Sequence, residues 1–154
     1  MAEGGRKIIA RNKRAFHDYF IEETYQAGIV LMGSEIKSIR RNRISLQEGF
    51  VQEMGGELWL MQVNISPYEQ ASFFGHVDPM RPRKLLLRKK EIAKIITKLR
   101  EKGYTVVPTQ VYLVDGLAKV EIALAKGKKL YDKRDTIAKK DAEREIQRAL
   151  KDRY

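Results

Sequence analysis

The spacing of apolar positions changes several times along the chain, and each change marks an element. Tyr19-Phe20-Ile21 and Gly28-Ile29-Val30-Leu31-Met32 read as strands, with a bend or bulge at Ala27-Gly28. Gly33-Ser34-Glu35 opens a short helix that Ser34 is placed to cap, with Ile36 and Ile39 on its apolar stripe and an end near Asn42. Residues 49–54 and 57–63 flank Gly55-Gly56, the signature of a tight hairpin, and Ser66-Pro67 ends the second of these strands. Residues 67–84 carry Pro67, Gly75, Pro79 and Pro82 and form the longest irregular stretch. Residues 89–102 predict the clearest helix, because Ile92, Ile95, Ile96 and Leu99 fall on one face and Gly103 stops it. Residues 105–114 and 117–124 are two more strands joined by Asp115-Gly116, a type I′ pair, with Pro108 at an edge or bulged position. Five or more strands with a few short helices predict a mainly β fold, a small, partly closed antiparallel barrel with accessory helices. Trp59, Phe50 and Phe20 lie in apolar runs and read as core.

The pattern stops at Gly127. Large apolar side chains then become scarce, with only Ile137, Ile146 and Leu150 among the last twenty residues. On a helical wheel Ala138, Ala142, Ile146, Ala149 and Leu150 share a face. Asp135–Lys139 favours that helix, whereas Lys140–Arg144, Arg144–Arg148 and Asp141–Glu145 oppose it, each by roughly 0.2–0.5 kcal/mol. A segment so balanced is expected to be disordered alone and helical once a partner orders it. The first residues, Met1 to Arg14, are basic and glycine-containing and are expected to be mobile. The chain thus divides into a flexible basic N-terminus (1–14), a β-barrel body (15–126) and a basic tail (127–154).

Charge turns this outline into a functional expectation. The 154 residues carry 31 Lys and Arg against 20 Asp and Glu, a formal net charge of +11. A polyanion relieves such a charge, because bound phosphates release their counterions. The excess is uneven: residues 81–102 hold ten cations and two acids, residues 126–154 hold eleven and six, and residues 44–80 hold no cation. One basic side and one nearly neutral side are the footprint of a nucleic-acid docking surface. No segment approaches the ~20 apolar residues that span a bilayer, and Met1 to Arg14 lacks the apolar stretch of a secretory signal. Together with the absence of cysteine, this makes a cytoplasmic protein the natural expectation.

The candidate chemistry is that of binding. Arg81-Pro82-Arg83-Lys84-Leu85-Leu86-Leu87-Arg88-Lys89-Lys90 combines leucines that pin the segment to a core with cations that line a phosphate-binding surface. His17-Asp18 and His76-Val77-Asp78 are a poor metal-ligand set, without cysteine or a clustered carboxylate. No phosphate-binding loop, nucleophile elbow or paired catalytic carboxylate motif is present, so no enzyme, cofactor, metal or small-molecule substrate is expected. Tyr131 stands among lysines beyond the last strand, where a ring can stack on a base. On residues alone, a nonspecific single-strand RNA-binding protein of the same barrel type stays open as an alternative.

Six segments, in this order and spacing, carry a resemblance. They are Asn12-Lys13-Arg14, His17-Asp18-Tyr19, Tyr25-Gln26-Ala27-Gly28-Ile29, Gly33-Ser34-Glu35-Ile36-Lys37-Ser38, Arg83-Lys84-Leu85-Leu86-Leu87 and Ala125-Lys126-Gly127-Lys128-Lys129-Leu130-Tyr131-Asp132-Lys133-Arg134. Over about residues 12–134 the chain resembles the SmpB family of SsrA-binding proteins, the bacterial partners of transfer-messenger RNA in rescue of stalled ribosomes. The resemblance implies an oligonucleotide-binding (OB) type barrel with accessory helices and a tail unstructured in solution. It implies partners as well: the tRNA-like domain of transfer-messenger RNA, the ribosome with its small-subunit RNA, and elongation factor Tu through the RNA complex. Carried over, RNA contacts fall on Gln26, Ala27, Gly28, Lys37, Arg40, Arg83, Lys84, Leu86 and Arg88. Decoding-centre contacts fall on Lys126, Lys128, Lys129, Tyr131, Asp132, Lys133 and Arg134, and Lys139, Lys140, Arg144 and Arg148 face the message channel. This chain departs from the family pattern at Gln26, where Glu is common, and at Arg88, where His or Asn is common. Val77 also interrupts the usual Asn-His-Asp-Pro pattern at 76–79.

Overall fold

The computed structural model describes residues 6–67 and 78–127. Among these described residues nine strands and three helices follow in the order β1 (Arg6–Arg11), α1 (Lys13–Asp18), β2 (Tyr19–Ile29), α2 (Gly33–Arg40), β3 (Ile44–Ser45), β4 (Phe50–Met54), β5 (Glu57–Met61), β6 (Asn64–Ile65), β7 (Arg83–Leu86), α3 (Lys89–Leu99), β8 (Tyr104–Val114) and β9 (Leu117–Gly127). Seven strands make one antiparallel sheet in the order β1-β8-β9-β2-β7-β5-β4, and β3 pairs with β6 separately. The sheet bends so that β4 packs against β8. The fold is mainly antiparallel β with short helices, and among the described residues no hydrogen-bonded ladder joins β4 to β8 or β1.

Bulges decide which side chains face the core. In β2 the register shifts between Ile21 and Glu23, and in β8 between Pro108 and Gln110. An extra residue reverses the faces of everything beyond it. Tyr19 and Ile21 therefore pack in a small cluster with Ala15, Val107 and Ala125, while Tyr25 and Ala27 of the same strand enter the main core. The same reversal sends Val106 and Val111 inward and turns Val107 and Tyr112 outward. β9 pairs in register with both neighbours' core positions, placing Val120, Ile122 and Leu124 in the core and Lys119 and Glu121 on the other face.

Several local expectations are corrected. Residues 19–29 form one strand, and its bulge lies at Ile21/Glu23 instead of Ala27-Gly28. The described part of the 1–14 segment carries regular structure. Arg6–Arg11 pairs along β8, and Asn12 caps α1 by accepting from the Ala15 N–H while donating to the Leu46 and Pro108 carbonyls. Met32, not Ser34, is the N-cap of α2, and its N–H donates to Glu35 at 2.8 Å. Phe20 is 48% exposed, and Trp59 is half-buried on the face of β5 opposite the buried Leu58 and Leu60. β7 (Arg83–Leu86) begins within the last two residues of the 67–84 stretch read as irregular. By contrast, the Gly55-Gly56 and Asp115-Gly116 turns have positive φ at both residues, as type I′ hairpins require. Pro108 sits at the bulge of β8, beyond the end of β1.

Candidate nucleic-acid interface

α1 covers one end of the outer face of the sheet, and among the described residues no element covers the other end. There β2, β9 and β8 present Gln26, Gly28, Lys119, Glu121 and Tyr112, and β7 adds Lys84 and Leu86 alongside. Cross-strand register brings them together: Gly28 lies opposite both Leu86 and Lys119, and Gln26 lies opposite Glu121. Leu86 is 51% exposed, and a Cβ at Gly28 would come within 3.2 Å of its Cβ. The glycine thus leaves a shallow step beside an uncovered apolar side chain, a shape that admits a flat ring.

A polar chain runs across this face. The Tyr112 hydroxyl donates to the Gln26 Oε1 at 2.5 Å, Gln26 Nε2 donates to Glu121 Oε1 at 3.0 Å, and Thr109 Oγ1 donates to Glu121 Oε2 at 2.6 Å. Tyr112 and Thr109 are buried, which anchors the chain from beneath, and the Arg6 guanidinium lies 3.7 Å from the centre of the Tyr112 ring. Burial pushes the Tyr112 hydroxyl above its ordinary pKa, against the opposing pull of Arg6, so it stays a donor at neutral pH. Arg88 is exposed at the N-cap of α3, where its charge adds to the positive end of the helix, and its N–H donates to Glu91 at 3.2 Å.

Not every residue assigned to this surface reaches it. The Ala27 side chain is in the core, leaving only its backbone in the strand. Arg83 is corrected outright: it is fully buried, donates to Glu35 at 2.8 Å, to the Val63 carbonyl at 2.6 Å and to the Pro79 carbonyl at 3.0 Å. Arg81 pairs with the same carboxylate. Burial raises the Glu35 carboxyl, but donors from Arg81, the Met32 N–H and Arg83 outweigh it and hold the group below its ordinary range. A strand alternating Arg83-Lys84-Leu85-Leu86 must send its odd positions inward, and Arg83 enters with its counter-charge supplied by α2. Lys84 remains on the outer side, 3.8 Å from Glu57. Lys37 and Arg40 are exposed on α2, and Arg40 Nη2 donates to the Gly116 carbonyl at the β8–β9 turn, at 3.5 Å.

Lys126 lies at the other end of β9. It is opposite Phe20 while Lys119 is opposite Gly28, a separation of about 24 Å at the usual strand rise. There its ammonium sits 4.8 Å from the Tyr104 ring and 3.8 Å from Glu22. The positions 128, 129, 131 to 134, 139, 140, 144 and 148, and His76, lie outside the described residues. The outward set Arg6, Tyr112, Lys119 and Glu121 was missed by the sequence reading. Its signal was present in the even alternation of β9, but the β8 bulge hid the matching half.

The SmpB protein family model matches residues 9–152. An SsrA-binding protein of Bacillus cytotoxicus is 54% identical over 153 residues, covering 99% of this chain and 98% of the relative. One from Halothermothrix orenii is 56% identical with the same coverage. Among solved structures, a chain described under "tmRNA-SmpB: a journey to the center of the bacterial ribosome" is 45% identical with a TM-score of 0.67, covering 79% of this chain and 85% of that one.

Proposed function

This chain belongs to the SmpB protein family, and from that premise we propose that it binds the transfer-messenger RNA, SsrA, and serves trans-translation on stalled ribosomes. It is a non-catalytic adaptor working in the cytoplasm. An OB-type body engages the tRNA-like domain, elongation factor Tu delivers the complex, and the tail from residue 127 onward occupies the empty decoding site and message channel.

The observation that carries this reading is the outer face that no described element covers, where Gln26, Gly28 and Leu86 stand together and Arg88 is exposed two residues beyond Leu86. A step beside an exposed leucine suits an unstacked base, and the peripheral cations suit its phosphates. The ~24 Å between that face and the start of the tail lets one molecule hold an RNA at one end of the sheet and reach a second site from the other.

Truncation after Gly127, which leaves β9 intact, tests the division of labour. The truncated chain is expected to keep its affinity for the tRNA-like domain within about twofold while losing peptide tagging on stalled ribosomes. Tagging by the truncated chain would remove the tail from the mechanism.

A further inference from the structure

We infer that Glu121, presented by Gln26, reads the Watson–Crick edge of an unstacked guanine on the open face of the sheet. The inference rests on the proposed function and adds to it a base preference and the residue that carries it.

A carboxylate on the face that no described element covers, in a protein of net charge +11, repels phosphate. Whatever approaches Glu121 must therefore bring hydrogen-bond donors. Thr109 occupies one position on Oε2 and Gln26 one on Oε1, and a carboxylate has about four acceptor positions in all, so each oxygen keeps one open. The amide of Gln26 is fixed in one orientation: Oε1 receives the Tyr112 hydroxyl, and reversing the amide would set its oxygen against the carboxylate. One N–H of Gln26 is used on Glu121, and its second N–H is left over. The outward offer is thus one donor followed by two acceptors.

Among the four bases only guanine presents the complement, the O6 acceptor followed by N1–H and the N2 amino group. Adenine places one acceptor beside a single donor, cytosine follows one donor with two acceptors and so repeats the protein's own pattern, and uracil has one N–H between two carbonyls. The carboxylate is held before the base arrives, because Thr109 and Tyr112 beneath it are buried and the Arg6 guanidinium lies over the Tyr112 ring. Such a support lowers the ordering cost of a specific contact. The step at Gly28, next along β2, and Leu86 opposite it on β7 give the neighbouring ring an apolar seat.

A cycle between protein and RNA tests this. The probes are the tRNA-like domain with its loop guanines and the same RNA with those guanines replaced by inosine, which lacks only the N2 amino group. The wild-type chain is expected to bind the guanine RNA about tenfold more tightly than the inosine RNA, within the range of a good bidentate base contact. Glu121→Gln is expected to reduce that ratio to below about twofold, weakening guanine RNA while leaving inosine RNA unchanged or tighter. If Glu121 acts only through its charge, the variant tightens both RNAs equally, and that result overturns the inference. A wild-type chain that binds both RNAs equally overturns it too, with no bearing on the proposed function. Failure to bind either RNA overturns both. The comparison of two RNAs on the wild-type chain does not depend on any variant folding.

Discussion

Arg83 carries a charge in a basic segment but is built into the interior, and Arg83→Met separates the two roles. Methionine keeps most of the apolar stem while removing the donors to Glu35, Val63 and Pro79. Stripping one partner from a buried ion pair costs about 3–5 kcal/mol. Arg81, 26% exposed, still pairs with Glu35, so the lower end of that range, about 3 kcal/mol, applies. For a body of this size that corresponds to a fall in Tm of about 10 °C. Melting followed by circular dichroism gives the shift. RNA titrations at several salt concentrations, well below the melt, give the rest: the salt slope is expected to match the wild type, since no phosphate contact is removed. Pairing the change with Glu35→Gln should recover part of the loss, because the stranded charge is gone. A Tm within about 2 °C of wild type, together with a salt slope reduced by about one, would refute the buried placement and make Arg83 a phosphate ligand.

Three other expectations follow from the same geometry. Gly49→Ala should lower stability by about 1–3 kcal/mol, because its Cβ would lie 2.7 Å from Val63 Cγ2, 2.8 Å from Pro108 Cγ and 3.0 Å from the Leu46 carbonyl; an unchanged urea midpoint would show that the contact relaxes freely. Arg88→Ala should flatten the salt dependence of RNA binding by about one with Tm nearly unmoved, since the backbone cap to Glu91 remains. Glu35 has a folded-state pKa held below its unfolded value, so its stabilisation is full above about pH 5 and is lost as pH falls through the depressed value. Wild type and Glu35→Gln should accordingly differ most near neutrality and converge in acid, as read by denaturant midpoints across pH, and a constant difference would exclude the linkage.

Much of this architecture was legible because hairpin chemistry is local. Gly55-Gly56 and Asp115-Gly116 mark their turns without any tertiary information, and the stripe of α3 is set by Ile92, Ile95, Ile96 and Leu99. The strands that fooled the pattern are the ones that switch faces. Tyr19–Ile29 alternates correctly on each side of its bulge, yet the reversal at Ile21/Glu23 makes the odd positions outward first and inward later. Arg83 misled for a different reason: charge in a sequence says nothing of burial, and its partner Glu35 lies on a different element, 48 residues away. The site was half visible. Gln26, Gly28 and Leu86 came from motif resemblance, whereas Tyr112 and Glu121 join them through pairings that only the assembled sheet reveals.

The central claim, recognition of a tRNA-like RNA by the open face of the body, is tested most directly by competition. Labelled tRNA-like domain bound to the full chain is challenged with unlabelled tRNA-like domain and, separately, with unstructured RNA of equal length at the same salt. The account predicts displacement by the tRNA-like RNA at concentrations at least tenfold lower than by the unstructured one. Equal displacement by both would contradict it and leave a protein that binds RNA by charge alone.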